Sequence, residues 1–175
     1  RFVSSHEIGH TLGMQHNFAA SSAYPVDKLR DKDFVQQYGH TSSIMDYCRF
    51  NYVAQPEDSI PQHYLFPRIG KYDYWCIEWG YRLFPEIEDP RDEIQLLNDW
   101  IIEKTNDRYL WFGSGYTGMD PRSQSEDLGD NQMVANSYGI KNLKRIVQNL
   151  DSWTAQPNKD YTNLRKMYNE VIDQY

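Results

Sequence analysis

The sequence predicts a mainly α-helical fold, and three observations carry that expectation. Apolar residues recur at three- and four-residue spacing in the stretches 70–84, 91–104, 132–150 and 160–173. His6 and His10 stand four residues apart near the start of the chain, a register that puts both on one helix face. Pro25, Pro56, Pro61 and Pro67 fall between these stretches rather than inside them, where they would break a helix.

The first helix is expected over residues 2–12, ending at Gly13, because helices commonly stop on a glycine in the left-handed conformation. Residues 17–43 read as loop-rich, with one short helix around 26–38 and Asp31, Lys32 and Asp33 as solvated charges. Three prolines keep 48–68 free of long helices. In 70–84, Tyr74, Ile77 and Tyr81 lie at helical spacing and read as core. Asp89-Pro90 opens a helix over 91–104, since proline is tolerated in the first turn. After a Gly- and Asp-rich loop at 113–131, two more helices cover 132–150 and 160–173. No internal repeat and no linker is visible. The chain reads as one unit, 1–175, with the first helix and its sequel in 1–50 and a helical region in 51–175.

Composition narrows the function classes. The chain has 175 residues, a length suited to one domain. Its mean hydropathy of −0.80 is low. Yet 15% of residues are aromatic, which argues against disorder because Tyr and Trp bury large areas. Net charge is −7, and no Lys/Arg run supports nucleic-acid binding. No apolar run approaches the roughly 18 residues of a membrane span. Cys48 and Cys76 are the only cysteines, lack zinc-site spacing and read as free, buried thiols, with one disulfide as the alternative.

Residues 6–16 read His-Glu-Ile-Gly-His-Thr-Leu-Gly-Met-Gln-His. His6 and His10 on one helix face could grip one metal ion, and imidazole nitrogen suits zinc at roughly 2.0–2.1 Å. A turn at Gly13 would swing His16 back as a third ligand. Three protein ligands leave a fourth position open, as a catalytic zinc requires. Glu7 follows the first ligand directly and projects beside the metal, the place for a general base acting on water. The five histidines include two more, His40 and His63, which read as structural. Asp120, Glu126, Asp127 and Asp130 could gather a hard cation such as Ca2+, against a solvated loop as the plainer reading.

The spacing H-E-x-x-H-x-x-G-x-x-H resembles that of the metzincin zinc peptidases. Ser43-Ile44-Met45-Asp46-Tyr47 is similar to their methionine turn, in which a soft thioether packs under the imidazoles. The resemblance implies that Met45 is this structural methionine. It also implies that Tyr47 approaches the metal or hydrogen-bonds a developing oxyanion, as in astacin-like and serralysin-like members. Further stretches, "HNFAAS", "IGKYDYWCIEWGYR", "DPRSQSEDLGD" and "YGIKNLKRI", resemble the C-terminal catalytic region of the large bacterial Met-zincin family.

That likeness implies a zinc-dependent endopeptidase of the cell envelope, periplasm or exterior, acting on protein or peptide substrates. It further implies that the chain is the C-terminal helical subdomain of a metzincin catalytic domain. The α/β subdomain with the active-site sheet would then be absent, lying upstream as this chain's partner, and the stretch alone would be inactive. Two other classes compete: a helical scaffold with a vestigial or loose zinc site, and a zinc hydrolase of non-peptide bonds.

Overall fold

The computed structural model describes residues 2–115 and 119–175. Arg1 and residues 116–118 of the Gly- and Asp-rich loop lie outside the described residues. Six α-helices and several 3-10 turns make up the regular structure, and no strand occurs among the described residues. The architecture is mainly helical, as the spacing predicts.

Helix α1, Phe2–Thr11, ends where glycine is required. Gly13 has φ +83°, the left-handed region that side chains disfavour. Its amide donates to the His10 carbonyl, and Met14 N donates to Gly9 O, so the last carbonyls of α1 are satisfied. The chain then leaves in a new direction, carrying His16.

The single short helix expected over 26–38 is two elements, a 3-10 turn Val26–Arg30 and α2, Lys32–Tyr38. The break falls at Asp31, whose carboxylate accepts from Asp33 N and Phe34 N. Asp31 is therefore a helix cap, also paired with Lys28 at 2.9 Å, and not a free solvated charge.

Helix α3 spans Lys71–Tyr81, α4 Pro90–Lys104, α5 Gln132–Thr154 and α6 Thr162–Gln174. Asp89 caps α4 through Arg91 N, and Asn131 caps α5 through Val134 N. The inner face of α3 departs from the expected one. Tyr74 and Tyr81 are exposed, while Tyr72 and Asp73 are buried and Trp75, Cys76 and Ile77 pack inward. The face is displaced because α3 meets the methionine turn with its first turn: Tyr72 N donates to Ser42 O. Tyr81 instead donates its hydroxyl to Leu12 O at the end of α1.

Two apolar clusters result. One gathers Tyr24, Leu29, Cys48, Val53, Leu128 and Ala135 beneath α2 and the start of α5. The other joins Met14, Ile44, Met45 and Tyr72, and it supports α1. Outside them, ion pairs tie the 3-10 turn Pro56–Asp58 to its neighbours. Arg30 grips Asp58 through two nitrogens, and Glu57 takes both Lys141 and Arg145 of α5. Both cysteines are free thiols; Cys48 is fully buried and Cys76 half-buried.

His40 is fully buried, with Nε2 3.6 Å from Cys48 Sγ and Nδ1 unpartnered within the described residues. Burial, and secondarily the positive charge of Arg68, hold its pKa down at about 3. His63 is exposed and lies against Tyr64.

Two predictions follow from this packing. A methyl group at Gly70 would overlap the backbone of Ser42, whereas Gly80 on α3 has nothing within 4 Å. Gly70→Ala should cost about 1–3 kcal/mol in urea unfolding, and Gly80→Ala should add about 0.5–1 kcal/mol. Acid lability should trace to His40. The unfolded chain takes up its proton near pH ~6.5, the folded one only near about 3. Stability from this group is thus lost as pH falls through that window, at up to about 1.4 kcal/mol per pH unit. His40→Phe should flatten that limb in circular-dichroism titrations.

Candidate metal centre

Helix α1 delivers His6 and His10 one turn apart, and the turn at Gly13 returns His16 to them. Ring centroids lie 4.9 Å apart for His6 and His10, 5.3 Å for His6 and His16, and 4.7 Å for His10 and His16. One ligand nitrogen from each can be chosen so that all lie within 4.8 Å of one another. Among the described residues this is the only group of three or more potential ligands that converges.

Hydrogen bonds decide which nitrogens face inward. His6 Nδ1 is 2.8 Å from Ile44 O, and His10 Nδ1 is 2.9 Å from Met14 O. A carbonyl only accepts, so both Nδ1 atoms carry a proton, and in each ring Nε2 is the nitrogen left to face a metal. His6 Nε2 is buried with no partner among the described residues. His10 Nε2 lies 3.1 Å from His16 Nε2. A buried, unpaired acceptor is costly, and a cation among these nitrogens removes the cost. The donor set, three imidazoles, is one that zinc takes. Burial, then the neighbouring His10 and His6, lower the pKa of His16, with Glu7 opposing, and this favours its neutral, ligating form.

The other expected residues fall around this cluster. Glu7 is exposed on α1 beside His6. Tyr47 stacks on His6 at 5.3 Å and approaches His16 at 4.5 Å, and the residue is 43% exposed. Met45 is fully buried and packs against Gly9, on the helix between the two histidines. A Cβ on Gly9 would collide with Met45 Sδ.

Sequence reasoning missed several contributors. Phe18 stacks on His16 at 5.3 Å and forms an aromatic wall with Tyr47. Asn17, fully buried, donates its amide to Met45 O, its side-chain nitrogen to Trp111 O, and accepts from Gly113 N. Gly9 lies inside α1, and a glycine inside a helix is a local signal of close packing. Asp73 is buried against Ser43 of the methionine turn, three residues past a glycine at a helix start, where a carboxylate caps.

The acidic loop does not gather. Asp120 pairs with Arg122, Glu126 with Arg49, and Asp130 with Arg108 and Val26 N. Asp127 accepts from Ser21 and Gln132. The four carboxylates serve separate sets of partners, so the calcium expectation finds no shared site among the described residues.

A helical frame presenting three converging imidazoles over a buried methionine defines a metal-binding protein of the metzincin type. The chain belongs to the Met-zincin family, whose profile matches it over residues 1–175. That family is of the zinc-metallopeptidase type, which implies zinc as the ion and proteins as substrates. No curated protein matches the chain, and no solved structure does. No helix among the described residues is long and apolar enough to cross a membrane.

Gly9→Ala should cost about 1–3 kcal/mol in chemical unfolding. A double-mutant cycle with Met45→Ala should show favourable coupling, because the truncated side chain vacates the space the new methyl needs.

Proposed function

We propose that the protein is a zinc-dependent endopeptidase in which His6, His10 and His16 hold the metal and Glu7 is the general base. The observation that carries the reading is the bare, buried Nε2 of His6 facing two further imidazoles within ligand range. When bound, zinc supplies Lewis acidity toward water and a peptide carbonyl. The chain's own residues do the rest. His6 and His10 are fixed as neutral ligands by giving their Nδ1 protons to backbone carbonyls. Glu7 Oε takes a proton from the attacking water and can return it to the departing amine, the usual double duty of a base next to the reacting centre. Tyr47, stacked on His6 and partly exposed, has its hydroxyl available to donate to the developing oxyanion. Met45 gives α1 a fixed floor.

The same reading treats residues 1–50 and 51–175 as one working unit, because Asn17 binds the histidine loop to Trp111 and Gly113. The compartment in this proposal, the cell envelope or exterior, rests on the family resemblance.

Hydrolysis of an unstructured protein by the zinc-loaded full-length protein tests the assignment. Glu7→Ala should retain one zinc per chain and lose about 10²–10⁴-fold in rate. Unchanged hydrolysis by that variant would remove Glu7 from the mechanism.

A further inference from the structure

Behind His6 lies a continuous run of hydrogen bonds that ends on a buried carboxylate. The His6 Nδ1 proton goes to the carbonyl of Ile44 at 2.8 Å. The same peptide group's N–H, that of Met45, donates to Ser43 Oγ at 3.0 Å. The Ser43 hydroxyl in turn donates to Asp73 Oδ1 at 2.6 Å. Every donor in the series points toward Asp73. His6, Ile44, Ser43, Met45 and Asp73 are all buried, none more than 4% exposed.

Asp73 is itself anchored by backbone amides. Its other oxygen, Oδ2, accepts from Ile44 N and from Gly70 N, each at 2.7 Å. No arginine or lysine pairs with it among the described residues, so its partners are neutral donors. A carboxylate answered only by dipoles polarises them, and bonds arranged head to tail strengthen one another in a low-dielectric interior. Metal-bound histidines commonly give their second N–H to a carboxylate or backbone carbonyl, which sets the ring's orientation and raises its basicity. Here one histidine has both, with a peptide group and a hydroxyl standing between imidazole and carboxylate.

We propose that Asp73, acting through Ser43 and the Ile44–Met45 peptide, is the positioning residue that orients His6 and strengthens it as a metal ligand. The inference rests on the reading of His6 as a ligand. Asp73 and Ser43 touch neither metal nor substrate. Their effect should therefore appear in zinc affinity, separately from the stability of the fold.

The test compares Ser43→Ala with Ser22→Ala in the full chain. Ser22 is also buried and its hydroxyl donates to Ala19 O, so its loss measures the cost of a missing hydroxyl away from the relay. Zinc affinity, measured by chelator competition, should fall about tenfold in Ser43→Ala, at the low end of what outer-sphere partners contribute. It should stay within about twofold in Ser22→Ala, a change worth no more than ~0.4 kcal/mol. Equal affinities in the two variants would overturn the relay while leaving the ligand reading intact. Failure of the unaltered chain to bind one zinc would overturn the ligand reading, and the relay with it. A readout that needs no variant is the nitrogen-15 spectrum of His6 in metal-free protein. An Nδ1-protonated ring with a slowly exchanging proton is expected, and a ring protonated at Nε2 alone would refute the proposal.

Discussion

An imidazole has two ring nitrogens, and a ring that offers one to a metal must have the other satisfied on the protein side. The contact between His6 Nδ1 and Ile44 O answers that requirement and joins the two halves of the centre. It fixes the distance between α1 and the methionine turn, and so decides where Met45 can lie. The fully buried thioether then leaves no room for a side chain at Gly9. The end of α1 obeys the same logic one turn later. His10 gives its Nδ1 proton to Met14 O, a carbonyl that is within reach only because Gly13 takes the left-handed conformation. The direction of the chain after α1, and with it the return of His16, depends on these two small concessions by glycine.

The surrounding helices hold this arrangement from outside. Asn17 satisfies its own burial by bonding the 111–113 segment, which closes over the loop behind His16. Helix α3 abuts the methionine turn so closely that its leading glycine cannot carry a Cβ. The larger apolar cluster, around Tyr24 and Leu29, lies further off and supports the loop between α1 and the turn rather than the histidines themselves. Precision at the site therefore comes from polar contacts with short reach, and bulk stability comes from apolar packing elsewhere.

Much of this was legible in the amino-acid sequence, for reasons that differ from residue to residue. The histidine spacing, Gly13 and the helices starting at Pro90 and Gln132 are local signals, readable because spacing, caps and helix stops act over a few residues. The contacts at Asp31 and Asp73 also lie beside helix starts, yet Asp31, among charged neighbours, reads as solvated until its amide partners are known. The exposed Tyr74 and Tyr81 show the limit of periodicity, which gives a helix but not its rotation against neighbours. The relay from His6 to Asp73 joins residues far apart in the chain, and no pattern within one helix announces it. The acidic loop failed in the opposite sense: nearness in sequence suggested a cluster, while each carboxylate found an arginine, amide or hydroxyl of its own.

Met45 carries a consequence for the chemistry of ageing. Its sulfur is the softest atom beside the histidines, and addition of oxygen would turn it into a larger, polar group. It is fully buried, and the crowding that forbids a methyl on Gly9 also forbids an oxygen on that sulfur. Met119 and Met133, 84% and 79% exposed, stand in the path of any oxidant instead. The protein thus has sacrificial thioethers at its surface, and the one on which its centre rests is sealed away from them.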